Sequence, residues 1–138
     1  MTRERKAELL QQLQRFLAQR ERSRREIIQR IKQKKICEAE EEAPLLEYLE
    51  ELKLIDDERF AANRATYRLR SGYGPLAISR ELALLGIARS VVDRAMPAPE
   101  EIVDSIQNLL QRRNVDQKFL LRRGFPGHLI ARAQKEPG

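Results

Sequence analysis

The sequence predicts an all-α protein of tandem three-helix repeats, about nine helices forming an elongated, curved array. Three observations carry that expectation. Apolar residues recur at helical rather than alternating spacing along the chain. Charged residues make up 35% of the sequence and aromatic residues 5%, with no tryptophan, a mixture suited to narrow apolar stripes on helices. A pattern of apolar residues ending at a turn also repeats: Ile27, Ile31 and Ile36 align with Ile78, Leu82 and Ile87 at an offset of 51 residues, and Leu82, Gly86 and Ile87 align with Leu120, Gly124 and Phe125 at an offset of 38. Units of this kind contact mainly their neighbours, which favours elongation and curvature. The repeats are placed at 1–55, 56–97 and 98–138.

Each element has its own signal. Leu9, Leu13 and Phe16 predict a helix over about 3–20. Ser23 followed by Glu26 is a capping box that opens a second helix, with Ile27 and Ile31 inward and the basic run Lys32, Lys34, Lys35 at its C-terminal end. A third, over about 39–52, is expected to bury Leu45, Leu46, Leu49 and Leu52, with a late start or a kink at Pro44. Asp56 caps a fourth helix, on which Ala61, Ala65 and Leu69 form a stripe. Ser71-Gly72-Tyr73-Gly74-Pro75 is a turn with proline at the first helical position, and Ile78, Leu82 and Leu85 mark a fifth helix ended by Gly86. A short sixth holds Val91, Val92 and Ala95, followed by the break Pro97-Ala98-Pro99. Ile102, Ile106, Leu109 and Leu110 define the seventh, Phe119 to Leu121 the eighth, and Leu129 with Ile130 the last.

Formal net charge is +6, unevenly distributed. Residues 1–37 hold twelve basic and four acidic side chains, residues 38–58 one basic and ten acidic, and residues 59–99 seven basic and two acidic. The net positive charge favours a polyanionic partner, and the basic–acidic–basic order predicts a dipolar surface field, although such runs also occur as plain solvated faces. A single cysteine, Cys37, excludes an internal disulfide and a cysteine metal cluster, and fits a reducing, cytoplasmic setting. No apolar run reaches the roughly 20 residues that span a bilayer, and the N-terminus lacks a secretory apolar segment.

Catalysis is not expected. His128 is the single histidine and Cys37 has no histidine beside it, so neither a triad nor a metal centre can be assembled. Gly72-Tyr73-Gly74-Pro75 lacks the lysine and hydroxyl of a phosphate loop, and Asp56-Asp57 reads as a helix cap. The sequence calls for no metal or other cofactor.

Ile55-Asp56-Asp57-Glu58-Arg59-Phe60-Ala61, Gly72-Tyr73-Gly74-Pro75, Arg80-Glu81-Leu82 and Gly86-Ile87 stand in that order between Leu54 and Ile87. This stretch resembles the central repeat of the RecX family. Arg22-Ser23-Arg24-Arg25-Glu26 and Leu120-Leu121-Arg122-Arg123-Gly124-Phe125 resemble segments of the family's first and third repeats. Ala88 and Cys37 stand where the family usually has a helix-capping Ser, Asp or Asn, and Asn114-Val115-Asp116 replaces a cleaner helix start. The resemblance implies a non-enzymatic regulator in DNA repair and the SOS response, and a monomer is expected because nothing in the sequence forces a dimer. Such a protein binds filaments of the RecA recombinase on single-stranded DNA, inhibits recombinase and co-protease activity, and has weaker affinity of its own for single- and double-stranded DNA.

Two contact surfaces are expected. Arg64 and Arg68, four residues apart, share a helix face, with Arg70, Tyr73 and Arg80 extending it toward the next helix. The second is Arg24, Arg25, Lys32, Lys34 and Lys35, with Arg122 and Arg123 at the corresponding end of the third repeat. Against these stand a structural role for Arg64 or Arg68 in pairing with the acidic segment, and favourable placement of the lysines at a helix end. A stand-alone helical DNA-binding protein acting without RecA is the alternative function.

Overall fold

The computed structural model describes residues 1–112 and 114–136; Arg113, Pro137 and Gly138, which fall in the third expected repeat, lie outside the described residues. Among the described residues the chain is all-helical: α1 Arg3–Gln19, α2 Arg24–Gln33, α3 Ala39–Glu51, α4 Asp57–Arg70, α5 Pro75–Leu84, α6 Arg89–Ala95, α7 Pro99–Arg112, α8 Gln117–Arg122 and α9 Gly127–Lys135. It divides into two compact units, Met1–Phe60 and Ala61–Gly138.

The first unit closes on one apolar core. Leu9 and Leu13 of α1, Ile27 and Ile31 of α2, and Leu45, Leu46 and Leu49 of α3 are buried together with Ile36 and Ile55. Burial of each such side chain contributes about 1.5–3 kcal/mol. The α2 start is the expected capping box: the Glu26 amide donates to Ser23 Oγ at 3.2 Å, and the Ser23 amide donates to Glu26 Oε1 at 3.0 Å. Arg22 Nε donates to the Phe16 carbonyl at 3.2 Å while its guanidinium covers the Phe16 ring, so the charge is buried with partners.

Two expectations for α3 need correction. The helix does not start late; it runs from Ala39 through Pro44 to Glu51. Proline at its sixth residue removes one amide donor near the N-terminal end. The first turn is anchored ahead of it, since the Glu38 amide donates to Glu41 Oε1 at 3.0 Å and Glu41 is held by Arg5. Leu52 is exposed rather than buried. It caps the helix, and Leu49 is already the last residue of the stripe to face the core.

Among the described residues five helices end in the same turn. The amides of Ile36, Leu54, Tyr73, Ile87 and Phe125 donate to the carbonyls of Ile31, Leu49, Arg68, Leu82 and Leu120, each five residues back, at 2.9–3.1 Å. The residue before each donor has positive φ: Lys35 +50°, Lys53 +62°, Gly72 +91°, Gly86 +83° and Gly124 +91°. This is the left-handed closure that satisfies the last carbonyls of a helix and brings an apolar residue after the turn onto one in the last turn. Ile36 on Ile31, Ile87 on Leu82 and Phe125 on Leu120 are all buried. The repeated pattern in the sequence is this motif.

In the second unit Ile102, Val103 and Ile106 of α7 pack with Leu120, Phe125, Leu129, Ile130 and Ala133 of α8, α9 and the turn between them. Ile78, Leu82, Ile87 and Val92 are buried on α5, α6 and their connecting turn. Asp116 supplies the start that Asn114-Val115-Asp116 was not expected to give: the Phe119 amide donates to its Oδ1 at 2.8 Å. At α6 the cap position is Ala88, and no side chain caps the helix there.

Candidate functional site

Helix α4 carries Arg64 and Arg68 one turn apart, and α5 turns Glu81 toward both. Arg68 Nε donates to Glu81 Oε1 at 2.8 Å, and Arg64 Nη1 donates to Glu81 Oε2 at 2.9 Å. The two arginines are therefore partnered within the second unit by one carboxylate. Both guanidiniums are thereby fixed in direction.

The turn before α5 extends the cluster. Tyr73 follows Gly72, and Arg68 stands 5.8 Å from the centre of its ring. The Gly74 amide donates to the Arg123 carbonyl at 2.7 Å, and the Leu76 amide donates to the Gly124 carbonyl at 3.0 Å. These bonds fasten the α4–α5 turn to the α8–α9 turn and set the Arg123 guanidinium 4.4 Å from the Tyr73 ring centre and 4.9 Å from that of Phe119. The approach is so close that a Cβ on Gly74 would lie 2.6 Å from the Gly124 carbonyl carbon. Beside Tyr73 opens a cavity of about 280 Å³ lined by Arg68, Tyr73, Ala77, Ile78 and Glu81. Three arginines against one glutamate leave this region positive, with aromatic rings set among the guanidiniums.

Arg70, Arg80 and Arg122 are exposed, and none makes an ion pair among the described residues. In the first unit Arg25, Lys32, Lys34 and Lys35 are exposed as well. Arg24 is tied down: its amide donates to Asp57 Oδ1 at 2.9 Å and its guanidinium pairs with Glu50. The acidic segment is partly engaged in such pairs, with Glu41 held by Arg5 at 2.8 Å. Arg5 and then the Glu38 amide hold the Glu41 carboxyl down at about 2. Burial, followed by the nearby Glu41 and Glu42 carboxylates, pushes the Cys37 thiol up, which lowers its thiolate fraction and its reactivity. No helix among the described residues is long and apolar enough to cross a membrane.

Residues 56–96 match the family model described as RecX, second three-helix domain. A regulatory protein RecX of Pseudomonas putida is 32% identical over 130 residues, covering 85% of this chain and 83% of that relative. The chain belongs to the RecX family. A regulatory protein RecX of Stenotrophomonas maltophilia is 31% identical over 134 residues, covering 87% of this chain and 81% of the relative. Two solved structures share the fold. RecX from Lactobacillus salivarius superposes with a TM-score of 0.80 at 16% identity, covering 97% of both chains, and a crystal structure of regulatory protein RecX gives 0.76 at 23% identity, covering 96% of this chain and 72% of the other. The relatives are named regulatory proteins, and the all-helical fold is the one the sequence predicts.

For this RecX family member, sequence reasoning brought Arg64, Arg68 and Tyr73 to one place but missed three residues that organise it. Glu81 is one of two acidic residues in 59–99, and that scarcity was the available signal. Phe119 and Tyr67 became visible only through the guanidiniums beside them. Arg123 was grouped with the lysines that follow α2 by its place in the repeat, whereas the structure sets it against Tyr73.

Proposed function

We propose that the protein binds filaments of the RecA recombinase on single-stranded DNA and inhibits their recombinase and co-protease activities, so regulating DNA repair and the SOS response without catalysing a reaction. Membership of a regulatory family across 85% of the chain carries this reading. It acts in the cytoplasm as a monomer made of three-helix repeats at 1–55, 56–97 and 98–138. Its contact residues are Arg64, Arg68, Arg70, Tyr73 and Arg80, with Arg122 and Arg123, and in the first unit Arg24, Arg25, Lys32, Lys34 and Lys35. Exposed cations suit a polyanionic target, single-stranded DNA first and double-stranded DNA more weakly.

The test is the ATPase activity of RecA on single-stranded DNA while the protein is titrated in. A fall well below one molecule per RecA supports a filament regulator acting at few sites. No effect up to excess, with DNA binding intact, replaces it with a stand-alone helical DNA-binding protein.

A further inference from the structure

The guanidinium–ring contacts of the second unit join into one row. Arg68 lies between two tyrosines, 5.6 Å from the Tyr67 ring centre and 5.8 Å from that of Tyr73. Arg123 lies between Tyr73 and Phe119 at 4.4 and 4.9 Å. The order is thus Tyr67, Arg68, Tyr73, Arg123, Phe119, with aromatic and cationic groups alternating across α4, the turn after it and α8. Packing explains the inner members: Tyr73, Arg123 and Phe119 are half-buried, and Glu81 orients Arg68 with both of its oxygens. Packing does not explain Tyr67, which is 60% exposed at the end of the row.

We propose that this row is a track for single-stranded DNA, with Tyr67 as its base-stacking ring and Arg68 and Arg123 as its phosphate contacts. The inference deepens the function proposed above and rests on it for the choice of DNA. Alternating rings and cations match a single strand, whose unpaired bases offer faces and whose backbone offers regularly spaced charge. A duplex keeps its bases stacked internally and could use only the cations. An acidic protein segment likewise needs the guanidiniums but leaves the exposed ring without a role. Stacking does not discriminate among bases, so the track is indifferent to sequence.

The experiment measures anisotropy of a labelled oligo-dT with the full chain alone, as a function of salt, for wild type and for Tyr67→Ala, Tyr67→Phe and Arg123→Ala. Tyr67→Ala should weaken binding about 5- to 100-fold without changing the salt slope, and Tyr67→Phe should restore it. Arg123→Ala should lower the log–log salt slope by about 0.7. Tyrosine emission gives an independent readout, since the chain has three tyrosines and no tryptophan; quenching by oligo-dT should shrink in Tyr67→Phe even though binding persists. Unchanged affinity in both Tyr67→Ala and Arg123→Ala overturns the proposal, as does absence of oligo-dT binding by wild type. Loss of the effect on RecA ATPase with oligo-dT affinity intact overturns it too, by making the row a protein contact. Weakened oligo-dT binding by a protein without effect on RecA upholds the track and removes the filament reading.

Discussion

Gly74 and Gly124 meet backbone to backbone. A Cβ on Gly74 would lie 2.6 Å from the Gly124 carbonyl carbon and oxygen, and a Cβ on Gly124 would lie 2.4 Å from the Ala77 nitrogen. The obstructing atoms are main chain, which cannot rotate away as a side chain end would. Gly74→Ala should therefore destabilise the protein by about 1–3 kcal/mol in urea unfolding. Gly124→Ala should cost at least as much, because its φ of +91° adds backbone strain to the clash. Ala at Gly127, where a Cβ meets nothing within 4 Å, is the control and should be close to neutral.

The left-handed turn residues predict a gain instead. Lys53 adopts φ +62° where three of the five equivalent turns use glycine. Lys53→Gly should stabilise the protein by roughly 0.5–1 kcal/mol, seen as a higher urea midpoint at unchanged slope. Lys35→Gly at φ +50° should match it in stability. As Lys35 belongs to the proposed contact surface, that variant should also lower the log–log salt slope of single-stranded DNA binding by about 0.7.

Glu81 predicts a coupling. Its carboxylate holds Arg64 and Arg68 in a partly buried setting. A double-mutant cycle of Glu81→Gln with Arg68→Gln should give an interaction of about 0.5–2 kcal/mol in unfolding free energy. An additive result would show the pair to be solvent-screened. Charge reversal of both arginines to Glu would crowd three carboxylates together, so neutral variants give the cleaner test of binding.

Acid should loosen the first unit. Glu41 falls from an ordinary value of 4.5 to about 2 because Arg5 and the Glu38 amide favour its ionised form. Glu26 is also lowered: burial pushes it up, but Arg20, the Ser23 amide and Arg22 together outweigh that. A carboxyl held down in the folded state contributes stability above its unfolded value and loses it as pH falls toward the folded one. Urea stability followed by circular dichroism should decline between about pH 4.5 and pH 2 from this source, and Glu41→Gln should flatten that part of the decline.

Local chemistry carried most of the fold into the sequence. Ser23 with Glu26, Asp56 and Gly86 each fix a helix end through bonds to residues within four or five positions, Pro75 does so through its fixed φ, and those signals are readable without tertiary structure. The late start weighed at Pro44 does not occur, because the leucines and the Arg5–Glu41 pair hold the first turns of α3 together. Lys35 and Lys53 gave no turn signal, since lysine rarely takes positive φ. The candidate site was only half legible. Arg64 and Arg68 follow from helical spacing, but Arg123 reaches Tyr73 through a turn-to-turn contact that no periodicity encodes.

That contact also sets a timetable. Gly74 and Arg123 are 49 residues apart, and closing a loop of that length costs about 3 kcal/mol of chain entropy, whereas each helix and its closing turn forms from neighbours in sequence. During synthesis at about 5–20 residues per second, Tyr67, Arg68 and Tyr73 emerge roughly 3–10 s ahead of Arg123 and Phe119. A nascent chain halted within α7 carries one end of the aromatic–guanidinium row and lacks the other, so the row is among the late features of the molecule to be completed.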